Sequence, residues 1–138
     1  MKKLSLSLLL AFPLFASAQT LQVRNNVIDL GQVQFMQPVT ATFDVKNISN
    51  APIEISSMYS GCNCTQVGFP VGVIPAGTDF KVSATYDSKQ LGHFQRDVAI
   101  YVKDQKEPIY VTVKGVVVPK VESFVGNYPY SIGGLLTD

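Results

Sequence analysis

The stretch "TATFDVK" at residues 40–46 decides what kind of backbone this chain builds. Ala41, Phe43 and Val45 are apolar, and the residues between them, Thr40, Thr42, Asp44 and Lys46, are polar. Side chains alternate faces along a strand, so this spacing sends one face into a core and the other into water. The pattern returns in "FKVSATY" (80–86), where Phe80, Val82, Ala84 and Tyr86 alternate with Lys81, Ser83 and Thr85. It returns again in "IYVTVKG" (109–115), where Ile109, Val111 and Val113 alternate with Tyr110, Thr112 and Lys114. β-Branched and aromatic residues fill these runs, as a pleated, half-buried surface favours.

Turn chemistry separates them: "NISNAP" (47–52), "IPAGTD" (74–79), "DSKQLG" (87–92) and "DQKEP" (104–108). Gly, Pro, Asn and Asp each have a turn-forming reason there. No stretch sustains the three-and-four apolar spacing of a helix. Strands are predicted at 27–35, 39–46, 53–60, 64–69, 78–86, 92–102 and 109–118. About seven strands make the chain all-β, an immunoglobulin-like antiparallel β-sandwich. One residue breaks the pattern. In "FQRDVAIYV" (94–102), Arg96 shares a face with Phe94, Val98 and Ile100. Either that face opens to solvent near the strand's start, or a bulge re-aims the side chain.

The two ends of the chain differ from this middle. "MKKLSLSLLLAFPLFASAQ" has basic Lys2 and Lys3, an apolar run and an Ala16-Ser17-Ala18 site, the order of a secretory signal peptide. Residues 1–18 are therefore expected to be cut off between Ala18 and Gln19. The apolar run is shorter than the roughly 18 residues a membrane span needs. Residues 19–118 form the expected sandwich. Residues 119–138, with Pro119, Pro129, Gly126, Gly133 and Gly134, read as a tail. Its Phe124, Tyr128, Tyr130, Ile132, Leu135 and Leu136 would pack on the sandwich or dock on a partner.

With 11 basic and 10 acidic residues, the chain lacks the clustered Lys and Arg that nucleic acid or an anionic membrane surface would require. Export implies a periplasmic, surface or extracellular setting in which disulfides persist. The only two cysteines, Cys62 and Cys64 in "SGCNCTQ" (60–66), are too few for a disulfide scaffold.

Those two cysteines carry most of the chemical interest. In a regular strand their Cα atoms would lie roughly 6.5–7 Å apart. A disulfide prefers about 5.5 Å, so bonding them needs a bend, which Gly61 and Asn63 would permit. Three readings stay open: a local disulfide, two packed core thiols, or a thiolate pair that binds a soft ion such as Cu(I) or cycles in redox chemistry. Thiolate reactivity needs positive charge nearby, and residues 55–70 contain no Lys, Arg or His.

Other chemistry is thinly represented. The single histidine, His93 in "LGHFQ", sits at a turn-to-strand junction and reads as a solvated surface residue. The carboxylates are scattered singly, with no pair for acid–base work and no Asp-rich calcium loop. No catalytic residue and no cofactor is expected. Asn47-Ile48-Ser49 and Asn63-Cys64-Thr65 fit the glycosylation triplet and matter only where Asn is glycosylated.

Five stretches taken in order carry a family resemblance: "IDLGQV" (28–33), "FDVKNISNAPIEI" (43–55), "SGCNCTQ" (60–66), "IPAGTDFKVSATYD" (74–87) and "VTVKGVV" (111–117). They resemble the DUF1573 family, exported bacterial β-sandwich modules common in Bacteroidetes and related to major-sperm-protein-like and cilia-associated immunoglobulin-like domains. Asn63 stands where the family has Gly between the cysteines, and Ala76 interrupts its "I-P-G" turn. The resemblance implies a sandwich fold and an exported location, and it brings no activity.

The function expected from all this is a non-enzymatic exported module that binds a protein or cell-envelope component, by a sheet edge or an apolar patch. The competing expectation is a periplasmic copper or thiol-redox protein using Cys62 and Cys64.

Overall fold

The computed structural model describes residues 19–120. The expected signal peptide and nearly all of the expected tail lie outside them. Among the described residues nine strands form: β1 (Leu21–Val23), β2 (Val27–Gln34), β3 (Val39–Asn47), β4 (Ile53–Tyr59), β5 (Thr65–Gly68), β6 (Val73–Ile74), β7 (Asp79–Tyr86), β8 (Gly92–Val102) and β9 (Ile109–Val118). They make a four-stranded sheet, β1-β3-β7-β5, facing a five-stranded sheet, β2-β9-β8-β4-β6. The chain is all-β, as its alternation requires.

That alternation fills the space between the sheets. Ala41, Phe43 and Val45 of β3 and Val82, Ala84 and Tyr86 of β7 meet Val98, Ile100, Val111 and Val113 of the opposite sheet, all essentially inaccessible to solvent. The Tyr86 ring stacks on Phe94, centroids 4.1 Å apart, joining the two layers. Contacts of this kind contribute about 1 kcal/mol beyond the area they bury.

Two details differ from the sequence reading. β1 and β6, three and two residues long, are additional to the expected seven, being too short to display a period. One pairing is parallel: β2 lies beside β9 in the same direction, with a register shift between Asp29 and Gln32. β2 and β9 are separated by six other strands, so no hairpin turn constrains them to run antiparallel.

Asn47 ties the layers at one end. It is fully buried at the close of β3. Its Nδ2 donates to the carbonyls of Ala51, Ile74 and Pro75, at 3.0, 3.1 and 3.1 Å. Its Oδ1 accepts from the Ser49 amide at 3.0 Å and the Ser49 hydroxyl at 2.6 Å. A buried amide with its groups satisfied on both sides is a structural fastener rather than an acceptor for sugar.

Candidate functional site

Cys62 and Cys64 form a disulfide with their Cα atoms 5.3 Å apart. The bridge occupies the turn that enters β5 rather than the strand itself, so the pleated separation is avoided. Gly61, with φ of +73°, makes the bend. Such a backbone costs little without a Cβ. Asn63 lies outside the positive-φ region, so only one of the two expected bend residues takes a left-handed turn. Ser60 holds the loop closed, its hydroxyl donating to the carbonyls of Cys62 and Thr65 at 2.9 and 3.0 Å.

The neighbourhood of the bridge corrects the sequence reading. Arg96, from β8 in the opposite sheet, donates from Nε to Cys64 Sγ at 3.3 Å. Its guanidinium carbon lies 5.6 Å from the centre of the Tyr86 ring, and its Nη1 donates to the Gln95 carbonyl at 3.0 Å. The buried Thr65 hydroxyl is 3.7 Å from Cys64 Sγ and 3.9 Å from Cys62 Sγ. A positive charge therefore does stand beside the sulfurs. The β8–β9 ladder runs from Gly92 to Ile100 without a register shift, so no bulge re-aims Arg96. It is half-buried on the core face, where an aromatic ring and a sulfur receive it. No residue within 55–70 could have announced it, because the contact crosses between sheets. The signal was the misplaced charge in β8.

His93 is exposed on the outer face of the five-stranded sheet, opposite Val116. No hydrogen bond links it to either sulfur. Among the described residues, no three His, Cys, Asp or Glu side chains gather as metal ligands would. The two sulfurs are bonded to each other, so in this form neither is a thiolate that could hold copper. Ala18 lies outside the described residues, and Gln19 is the first of them.

The outer face of the five-stranded sheet has a feature that the strand pattern did not single out. Ala99 lies directly between Tyr59 of β4 and Tyr110 of β9. Its neighbours Val98 and Ile100 point into the core, so Ala99 points outward, yet it is only 5% exposed. The two tyrosines flank it and are themselves 65% and 58% exposed. Tyr101, half-buried, shares this face two residues along β8 and stands opposite Ser57. A bulge between Ile55 and Ser57 allows Ile55 and Met58 both to enter the core while Tyr59 turns out. Towards the other end of the face, the rows become polar: Gln95, Lys114 and Asp29, then His93, Val116 and Gln32.

The free edges of the sheets offer little. β1, β5 and β6 are three, four and two residues long, and the eight-residue edge β2 is interrupted by its register shift. Short and bulged edges discourage strand addition.

Comparison with known proteins bears on the same fold. The family described as "Protein of unknown function (DUF1573)" matches residues 21–117. A protein of unknown function from Porphyromonas gingivalis W83 superimposes with a TM-score of 0.60 at 18% identity, over 77% of this chain but 51% of that one. The seventh PapD-like domain of human CEP192, an ASH / PapD-like domain, gives 0.56 at 14% identity, covering 72% and 86%. The VesB protease of Vibrio cholerae gives 0.53 at 13%, over 71% of this chain and 31% of the protease. At these identities the likeness concerns the fold alone. No curated protein matches the chain.

Proposed function

This chain belongs to the DUF1573 family, and from that premise we propose that it is an exported, non-enzymatic immunoglobulin-like module that binds another protein through its tyrosine-bearing sheet face. Residues 1–18 serve as the removed signal and residues 119–138 as a tail to the sandwich. The observation that carries the binding role is the row Tyr59–Ala99–Tyr110 on the outer face of the five-stranded sheet, with both tyrosines exposed.

Tyrosine gives a large, rigid contact area at low entropic cost and keeps a polar tip for hydrogen bonding, which is why it is enriched at interfaces. The surrounding positions Ser57, Tyr101, Pro108 and Thr112 carry no charge. Asp97 is the charged residue nearest in the ladder, and it accepts a hydrogen bond from the Thr112 hydroxyl at 2.6 Å. An uncharged aromatic surface suits a protein partner and offers nothing to phosphate. The short and bulged edges favour the face over the edge as the route.

The test compares capture from the native cell envelope by the mature protein and by a Tyr59→Thr/Tyr110→Thr variant, which keeps strand-forming residues at both positions. Loss of two central aromatic anchors should reduce recovery of a specific partner at least about tenfold, with the melting transition unchanged. Equal recovery by both proteins would remove the face from the account.

A further inference from the structure

We propose that the Cys62–Cys64 disulfide is a thiol-exchange site in which Cys62 receives the incoming thiol and Cys64 departs as a thiolate held by Arg96. This is separate from the tyrosine face and does not depend on it.

The two sulfurs are not equivalent. Cys64 packs against the hydrophobic core, whereas Cys62 is not among the residues packed on it. Cys64 also receives the Arg96 Nε–H at 3.3 Å and has the Thr65 hydroxyl at 3.7 Å. Among the described residues, Cys62 Sγ has only the Thr65 hydroxyl, at 3.9 Å. A sulfur in a disulfide is a weak acceptor and gains little from a guanidinium. A thiolate at the same position gains a charge-assisted hydrogen bond in a partly dehydrated site. Arg96 is held where that gain would arise. Its half-buried guanidinium lies by Tyr86, and among the described residues it forms none of the four ion pairs with a carboxylate. A leaving thiol that is stabilised as its anion leaves faster.

The co-reactant is a dithiol, either a small molecule or a protein with two neighbouring cysteines. One of its thiolates attacks Cys62 Sγ and forms a mixed disulfide. The Cys62–Cys64 bond breaks, and its electron pair stays on Cys64. The second thiol of the co-reactant then loses its proton and attacks its own partner sulfur, releasing Cys62, which takes up a proton. The co-reactant gives two electrons and becomes a disulfide, while the module becomes a dithiol. Of the two protons released, one goes to Cys62 and one to solvent for as long as Cys64 stays ionised.

The experiment uses the full mature chain. In Cys62→Ser protein, Cys64 is the sole cysteine, and its alkylation by iodoacetamide is followed against pH. The expected midpoint lies below the ordinary thiol value of about 8.5. Replacing Arg96 by Met in that protein should move the midpoint up by about one unit, an about tenfold loss of rate at neutral pH, and Arg96→Lys should restore part of it. In the otherwise unaltered protein, a monothiol should be found attached to Cys62 when the mixed disulfide is trapped. A Cys64 midpoint at or above 8.5 would overturn the proposal, whether or not the Arg96 variants fold. So would attachment at Cys64, or a disulfide that dithiothreitol reduces only after the domain has unfolded.

Discussion

Asn47 Nδ2 lies 3.1 Å from the carbonyl oxygen of Ile74, so the last residue of β3 in one sheet is hydrogen-bonded to the edge strand of the other. The same amide also serves the turns on either side, through Ala51, Pro75 and Ser49. Asn47→Ala takes a donor from the Ile74 carbonyl and the acceptor from the Ser49 amide, while the Ala51 carbonyl keeps the Ser49 hydroxyl at 2.8 Å and the Pro75 carbonyl keeps the Thr78 amide at 3.3 Å. The expected cost is about 3 kcal/mol, since each buried unpaired group costs about 1–3 kcal/mol and some regain water. Ser49→Ala removes one hydroxyl from the cluster and should cost about 1 kcal/mol. Urea denaturation of both variants measures the difference.

Gly115 interrupts the valines of β9 because the space beside it is already taken. A Cβ there would stand 2.9 Å from the Gly31 carbonyl oxygen and 2.9 Å from the Phe94 ring. Gly115 pairs directly with Phe94, so the glycine makes room for the ring that stacks on Tyr86. Gly115→Ala is expected to lower stability by about 1–3 kcal/mol through overpacking. A thermal melt with an unchanged midpoint would show that the ring can move aside without penalty.

Ser88 offers the opposite outcome. It is fully buried, and its hydroxyl has no hydrogen-bond partner among the described residues. Its backbone carbonyl accepts from the Met36 amide at 3.0 Å, a bond that the side chain does not make. Ser88→Ala should leave stability within about 0.5 kcal/mol of the parent or raise it, because the hydroxyl is dehydrated for no return. Most buried substitutions destabilise, so a denaturation curve separates this expectation from the general rule.

Much of this architecture could be read from the chain. The alternation at 40–46, 80–86 and 109–115 became β3, β7 and β9, and the turn clusters fell between strands. What escaped was what depends on contact across the fold. β1 and β6 are too short to show a period, and the parallel union of β2 with β9 joins segments far apart in sequence. Arg96 was noticed as a misfit in β8, but its place beside Cys64 follows only when the two sheets close. Tyr110 looked like an ordinary member of an outward row, and nothing in the sequence pattern marked Tyr59. Only the strand order β9-β8-β4 sets them on either side of Ala99.

Surface charge adds a condition-dependent term. Lys81 and Asp44 face each other across β3 and β7 and form an ion pair. The hydrogen bond and charge of Lys81 hold the Asp44 carboxyl below its ordinary value. A carboxyl lowered in this way contributes stability above the normal carboxylate range and loses it as pH falls through the lowered value. Both groups are exposed, so salt screens the pair and its contribution is small. Asp44→Asn should therefore shift the melting midpoint more in low salt at neutral pH than in high salt, or at a pH where the carboxyl is protonated.

The claim that the tyrosine face is the binding surface can be tested without knowing the partner. A photoreactive benzoylphenylalanine is placed at Tyr59, at Tyr110, or at Gln95 on the polar rows of the same face, and cells producing each protein are irradiated. The expected result is one discrete protein adduct shared by positions 59 and 110 and absent at 95. Irradiation that yields no adduct at either tyrosine position, or the same adducts from all three, would contradict it.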